Sequence, residues 1–403
     1  MKVTFQKSHA NGTIEAPPSK SIAHRLLIAA GLAEGESVIH HVARSEDVLA
    51  TIDCLQALGA DCRLEKDSVK VSGIGGKIKT AQPLLSCREC GSTLRFFVPI
   101  ALLSPTQTTL CGSERLFQRP LSVYEEICRE QSLLFCQNHN TLTVQGKLAP
   151  AHYTFAGNIS SQFVSGLLFA LPLLERESKI TLTDPIESRS YINLTVKALA
   201  DFGITVTWQD DNTLLVPGQQ SYSASEITVE GDYSNAAFFS ALATLGENVT
   251  VTGLSDTSLQ GDRVYIDYFE QLKNGTPTLS LANCPDLGPI LFAMAGMQNG
   301  AHFTDTARLR IKESDRAACM AEELNKFGIR SEIHENDVII RPTSPVAPNT
   351  TLFGHNDHRI VMALSVMLSL VGGTIDGAEA VAKSMPDFFE RLASLGVQMQ
   401  ITK

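Results

Sequence analysis

Six stretches that open the chain's most apolar helical segments carry polar groups suited to holding anions. They read Ser19-Lys20-Ser21 with Arg25, Gly91-Ser92-Thr93 with Arg95, Ser160-Ser161-Gln162, Asp232-Tyr233-Ser234-Asn235, Asp286-Leu287-Gly288-Pro289 and Asn356-Asp357-His358-Arg359. Further basic residues lie in compact polar turns: Arg119-Pro120, Arg310-Ile311-Lys312-Glu313-Ser314-Asp315-Arg316 and Lys383-Ser384-Met385-Pro386-Asp387. A helix N-terminus offers free amides and partial positive charge, which suits phosphate and carboxylate groups. Arginine adds a bidentate fork and lysine a point charge. Singly, each hydroxyl is an ordinary N-cap worth about 1 kcal/mol, and each arginine a solvated surface residue. Together, Lys20, Arg25, Arg95, Arg119, Lys312, Arg316, Arg359 and Lys383 stand at repeat-related positions. That set points to one cleft for small, highly anionic ligands.

The elements that must position these groups repeat along the chain. Each copy is an apolar helix-like stretch, a polar break and a short β-rich run, from LLIAAGLAEGESVIHHV to IVMALSVMLSLVGGTIDGA. Anchored on Val38, Thr109, Ile180, Val249, His302 and Thr374, the six copies are 71, 71, 69, 53 and 72 residues apart. That period is long enough for one supersecondary unit. An amphipathic helix follows most anchors and ends at a C-cap glycine such as Gly59, Gly203 or Gly328. Two alternating strands come next, turning at Glu65-Lys66-Asp67 or Asp210-Asp211-Asn212. Each unit therefore reads βαβαββ, in the α/β (α+β) class. The fourth lacks a full hairpin after Leu272 and the sixth ends without one, so the N-terminal residues read as the missing strands. Two domains result: residues 18–229, and residues 1–17 plus 230–403. The helices are too apolar to lie on a surface and should be buried.

Composition narrows the classes. The chain has 403 residues, 43% hydrophobic and 19% charged, with a net charge of −10. That excludes wholesale disorder and argues against a general nucleic-acid binder. No apolar run reaches a membrane span and the first residues lack a secretory apolar core, so a cytoplasmic protein is expected. Nine scattered cysteines read as reduced thiols. Cys87 and Cys90 form one C-x-x-C without a second pair at zinc spacing, and His355 and His358 lack a carboxylate pattern. No metal is expected.

In this order the motifs resemble the EPSP synthase (3-phosphoshikimate 1-carboxyvinyltransferase) family. The resemblance rests on Pro18-Ser19-Lys20-Ser21-Ile22-Ala23-His24-Arg25, Gly91-Ser92-Thr93-Leu94-Arg95, Arg119-Pro120, Ser160-Ser161-Gln162, Ser188 with Tyr191, Val229-Glu230-Gly231-Asp232, Lys312 to Arg316, Asn356 to Arg359 and Lys383 to Asp387. It implies the two-domain enolpyruvyl transferase fold, with barrel-like, inside-out α/β domains of three repeats each. It also implies transfer of the enolpyruvyl group of phosphoenolpyruvate (PEP) to the 5-hydroxyl of shikimate 3-phosphate, by a monomer without metal or cofactor. By motif match, Lys20, Gly91, Arg119, Gln162, Arg316, Arg359 and Lys383 would hold PEP. Ser21, Arg25, Ser160, Ser161, Gln162, Ser188, Tyr191, Asp286 and Lys312 would hold shikimate 3-phosphate. Asp286 would accept the hydroxyl proton, with Glu313 and Lys20 transferring protons at the PEP methylene carbon.

Glu89, Cys90, Phe96 and Arg308 depart from the family pattern, and no substrate contact is carried to Arg308. The nearest rival is a UDP-N-acetylglucosamine enolpyruvyl transferase, whose reactive cysteine lies five residues before the PEP-site Arg-Pro. Glu114 holds that offset here, while Cys111 lies eight before Arg119. A non-catalytic ligand-binding protein on the same repeat is a further alternative. Lys20, Asp286, Glu313 and Lys383 weigh against it, because binding alone needs no acid–base groups.

Overall fold

The computed structural model describes residues 1–402. They form two compact units, residues 18–230 and residues 1–17 with 231–402.

In residues 18–230 the helices are α1 (Lys20–Leu32), α2 (Glu46–Ala57), α3 (Gly91–Ala101), α4 (Glu114–Phe117), α5 (Ser122–Glu130), α6 (Ser161–Ala170) and α7 (Arg189–Asp201). Three four-stranded sheets accompany them, each with one parallel pair and an antiparallel hairpin. The middle one runs Leu84–Ser86, Thr108–Cys111, Thr141–Gln145, Leu134–Gln137. This is the βαβαββ unit expected. In the first sheet the outer strand is Glu226–Thr228, returned from the far end of the unit to lie parallel to Glu36–His40.

The other unit contains α8 (Tyr233–Thr244), α9 (Tyr265–Asn274), α10 (Gly288–Met297), α11 (Arg316–Lys326), α12 (His358–Val371) and α13 (Phe388–Ser394). Two of its sheets have four strands and the third has two. The small sheet belongs to the fourth repeat, where the missing hairpin leaves Asn248–Thr252 paired with Asn11–Glu15 alone. The N-terminal residues therefore divide their work. Only Lys2–Phe5 completes the sixth repeat, lying between Gly373–Asp376 and Met399–Thr402. Asn11–Glu15 supplies the fourth repeat's first strand, covering an edge that would otherwise be open. The barrel-like form expected is six separate sheets, with no closed barrel among the described residues.

The six anchors all lie in the strand that follows a buried helix. Every residue of α3 except Ser92 is buried, and every residue of α10 except Met297. Burying a Leu, Ile or Phe side chain contributes about 1.5–3 kcal/mol, so these helices form the interior. Pro99 inside α3 has no N–H to give the Arg95 carbonyl four residues back. Tyr124 Oη donates to that carbonyl at 2.7 Å and to the Phe163 carbonyl at 3.1 Å, tying α5 to α3 and α6. Gly166 makes the approach possible, since a Cβ there would lie 2.3 Å from Tyr124 Oη. The amphipathic helices stop where expected, with Gly59, Gly203 and Gly328 at positive φ. Among the described residues, no helix is long and apolar enough to cross a membrane.

Candidate active site

In residues 231–402, three elements bring one carboxylate against three cations. Asp286 lies in a single helical turn, Pro285–Leu287, ahead of α10, and caps no helix. Its Oδ1 accepts from Lys312 Nζ at 3.1 Å and Arg316 Nη1 at 2.8 Å, and its Oδ2 from Arg359 Nη2 at 3.2 Å. Burial alone would raise the Asp286 pKa, but Arg359, then Lys312 and Arg316, hold it well below the usual carboxylate range. Arg316, the first residue of α11, is itself fully buried. It donates to Asp357 through Nε at 2.8 Å and to Glu313 through Nη2 at 2.8 Å. Burial works against its charge, yet Asp357, Glu313 and Asp286 raise its pKa well above the ordinary value. Asp357 caps α12 through the Arg359 amide at 3.0 Å and accepts from Ser314 Oγ at 3.1 Å. Arg359 Nη1 donates to Ser234 Oγ at 2.5 Å. Burial, the largest influence, lowers the Lys312 pKa despite Asp286. Lys383 donates to the Asn356 carbonyl at 2.6 Å. Asp286, Lys312, Glu313, Arg316 and Arg359 are thus joined in one network.

The turn before α12 is held under strain. His355 and Asn356 are consecutive non-glycine residues at positive φ, +49° and +52°. The fully buried Glu323 of α11 secures it, accepting from the Phe353 amide at 3.1 Å and bonding His355 Nε2 at 2.9 Å. Cys319, then Glu323, raise the His355 pKa to about 10, so the imidazole is cationic at neutral pH. His355 groups with Glu322 and Glu323 as candidate cation ligands. His358 lies buried in α12 and joins no such group among the described residues.

In residues 18–230 the expected residues form several local sets. Lys20 opens α1 and donates to Asp47 Oδ2 of α2 at 2.7 Å. Gly91 opens α3, and a Cβ there would fall 2.3 Å from Arg119 Nη1. The absence of a side chain at 91 is therefore what lets the Arg119 guanidinium lie against the helix start. Gln162 is held from both ends: Arg95 Nη1 donates to its Oε1 at 2.7 Å, and its Nε2 donates to Ser92 Oγ at 2.9 Å. Arg95 also donates to the Pro120 carbonyl at 2.9 Å and stacks over Phe163. Ser160 caps α6 through the Gln162 amide at 3.4 Å, and Ser161 is buried as its first residue. Arg25 donates to the Ser21 carbonyl, Thr195 Oγ1 and the Tyr191 carbonyl at 2.7, 2.8 and 3.0 Å, over the Phe96 ring. Burial lowers its pKa to about 10. Ser188 precedes α7 in the left-handed region and caps nothing with its side chain.

Asp47, Ser92, Asp357, Ser314 and Glu323 partner these residues and are not among the expected site residues. Ser92, Ser314 and Asp357 carried a signal, since each lies inside a quoted motif. Asp47 and Glu323 lie on amphipathic helices, where their carboxylates read as solvated.

A sequence model described as EPSP synthase (3-phosphoshikimate 1-carboxyvinyltransferase) matches residues 5–392. The chain belongs to the EPSP synthase family. It is 36% identical over 417 residues to the 3-phosphoshikimate 1-carboxyvinyltransferase of Clostridium perfringens (strain ATCC 13124), covering 98% of each chain. The protein of that name from Clostridium kluyveri is 36% identical over 416 residues, 98% of this chain and 97% of its own. Among solved structures, EPSP synthase from Acinetobacter baumannii superposes with a TM-score of 0.81 at 23% identity over the whole of both chains. The enolpyruvyl transferase NikO from Streptomyces tendae gives 0.80 at 14% identity, over 100% and 98%. These two show the shared fold. Cys90, just before the Gly91 loop, caps α3 with its thiol, which accepts from the Thr93 amide at 3.4 Å. Burial raises the pKa of Cys111, opposite to what a reactive thiol needs.

Proposed function

We infer that the chain catalyses enolpyruvyl transfer from PEP to the 5-hydroxyl of shikimate 3-phosphate, releasing phosphate. The family match over nearly the whole chain supports the reaction. The single observation that carries the chemistry is Asp286 set against Lys312, Arg316 and Arg359. The two substrates bring roughly six negative charges, from two phosphate monoesters and two carboxylates. Desolvating them side by side is prohibitive without cations and amide donors.

We assign PEP to Lys20, Gly91, Arg119, Gln162, Arg316, Arg359 and Lys383. Shikimate 3-phosphate is assigned to Ser21, Arg25, Ser160, Ser161, Gln162, Ser188, Tyr191, Asp286 and Lys312. Ligand oxygens that take up the Arg359, Arg316 and Lys312 donors relieve the field that keeps Asp286 a weak base. Asp286 then accepts the proton of the 5-hydroxyl as its oxygen bonds to C2 of PEP, while Glu313 or Lys20 delivers a proton to C3. Loss of a C3 proton and of phosphate from the tetrahedral intermediate restores the double bond. We place the protein among cytosolic monomers that need no cofactor; the nine free thiols favour a reducing compartment.

Phosphate release from PEP should require added shikimate 3-phosphate. Release driven by a UDP sugar instead, or none with either acceptor, overturns the assignment.

A further inference from the structure

We infer that Cys90, His24 and Asp47 form a binding site for a thiophilic divalent cation of the Zn²⁺ type. The ligands come from the starts of three helices: the cap of α3, the first turns of α1 and the first turn of α2. One sulfur, one ring nitrogen and one carboxylate oxygen all lie within 4.8 Å of one another. All three residues are buried, at 2%, 1% and 7% exposure. The Cys90 Sγ to His24 Nε2 separation is 3.8 Å. Tetrahedral zinc with ordinary Zn–S and Zn–N lengths places these atoms about 3.6 Å apart, so this pair needs little movement, while the Asp47 carboxylate must turn from Lys20.

The surroundings suit a metal ligand. His24 Nδ1 lies 2.7 Å from Thr51 Oγ1, which in turn bonds Thr93 Oγ1 at 2.8 Å. A hydroxyl on the far nitrogen fixes the ring and leaves Nε2 facing the thiol, the usual outer support of a ligating histidine. Burial, then Lys20 and Arg25, keep His24 well below its ordinary pKa. The C-x-x-C spacing is not the chelate, because Cys87 directs its thiol to the Leu85 carbonyl.

Binding requires the Cys90 thiol to release its proton to solvent as the metal–sulfur bond forms; no electron moves. Burial pushes that thiol up to about 12, which sets a cost the metal bond must exceed. Thiolate and carboxylate then neutralise the dication, and a fourth position remains for water. The metal competes with Lys20, whose ammonium bonds Asp47 at 2.7 Å. On the reading that Lys20 binds PEP, the cation inhibits by removing that lysine's partner.

The test uses the full-length protein, with Zn²⁺ in competition against a chromophoric chelator and Co²⁺ as a spectroscopic probe. The wild type should bind Co²⁺ with a near-ultraviolet thiolate charge-transfer band. Cys90→Ser keeps an oxygen to cap the Thr93 amide and should lose the band and at least ~10-fold in Zn²⁺ affinity. His355→Gln, in the other candidate cation group, should keep both. A wild type without the band, or a band that survives in Cys90→Ser or vanishes in His355→Gln, overturns the site. Zn²⁺ should inhibit turnover of the wild type and spare Cys90→Ser. Binding without inhibition overturns the coupling to Lys20 while leaving the metal site standing.

Discussion

Asp286 illustrates how a residue's role depends on what neutralises it. Three cations make it a poor base, and on the proposed reading anionic substrates that draw those cations away make it a better one. Asp286→Asn should therefore still bind both ligands but turn over at least ~100-fold more slowly, the scale of a lost general base. Equilibrium binding beside single-turnover kinetics checks this, and near-normal turnover removes Asp286 from the mechanism. Gly91 is a second such case. A methyl at 91 cannot share space with the Arg119 guanidinium 2.3 Å away. Because that group ends a flexible side chain, the protein should fold and Arg119 should shift. Gly91→Ala is expected to raise the KM for PEP about tenfold, equivalent to ~1.4 kcal/mol, with a smaller change in kcat. Unchanged steady-state constants would separate Gly91 from Arg119.

At the scale of elements, α11 clasps the segment 353–359 at two points two turns apart. Arg316 holds Asp357 at one end, and Glu323 holds Phe353 and His355 further along. This fixes a turn that pays for two left-handed residues, each costing about 1–3 kcal/mol. The His355 pKa is about 10 when folded and near 6.5 otherwise. A raised folded pKa gives stability that is complete below 6.5 and is lost as pH rises from 6.5 towards 10. The groups facing His355 are Cys319, Glu322 and Glu323, with Lys326 bonded to the Glu323 carboxylate. The midpoint of thermal unfolding should fall across that pH range in the wild type, and the fall should be shallower in His355→Gln. Identical pH profiles would show that the clamp contributes nothing.

For the whole molecule, the chain's beginning is structural far from its place in sequence. Lys2–Phe5 lies between two strands near the other end, and Val3 and Phe5 are buried. Removing residues 1–8 strips a central strand and about 1.5–3 kcal/mol for each buried side chain. Hydrogen-exchange protection over residues 352–402 should collapse, while residues 18–230 keep theirs. Unchanged protection over 352–402 would show that the strand is dispensable.

The repeats were legible because apolar periodicity and helix-ending glycines are local properties: all six anchors occupy equivalent strands, and Gly59, Gly203 and Gly328 have the positive φ their caps require. The shortened fourth repeat could also be read from spacing alone. Strand partners could not, because an edge accepts any strand whose register and placement allow the ladder. The split of Lys2–Phe5 and Asn11–Glu15 between two sheets is therefore a tertiary outcome. The motif residues were visible in sequence, but Asp47 for Lys20, Ser92 for Gln162 and Glu323 for His355 stand 27, 70 and 32 positions away. Local order determined which segments become buried helices with polar first turns. Only the packing of those helices decided which charges meet, because a hydrogen bond is chosen by distance and direction in space.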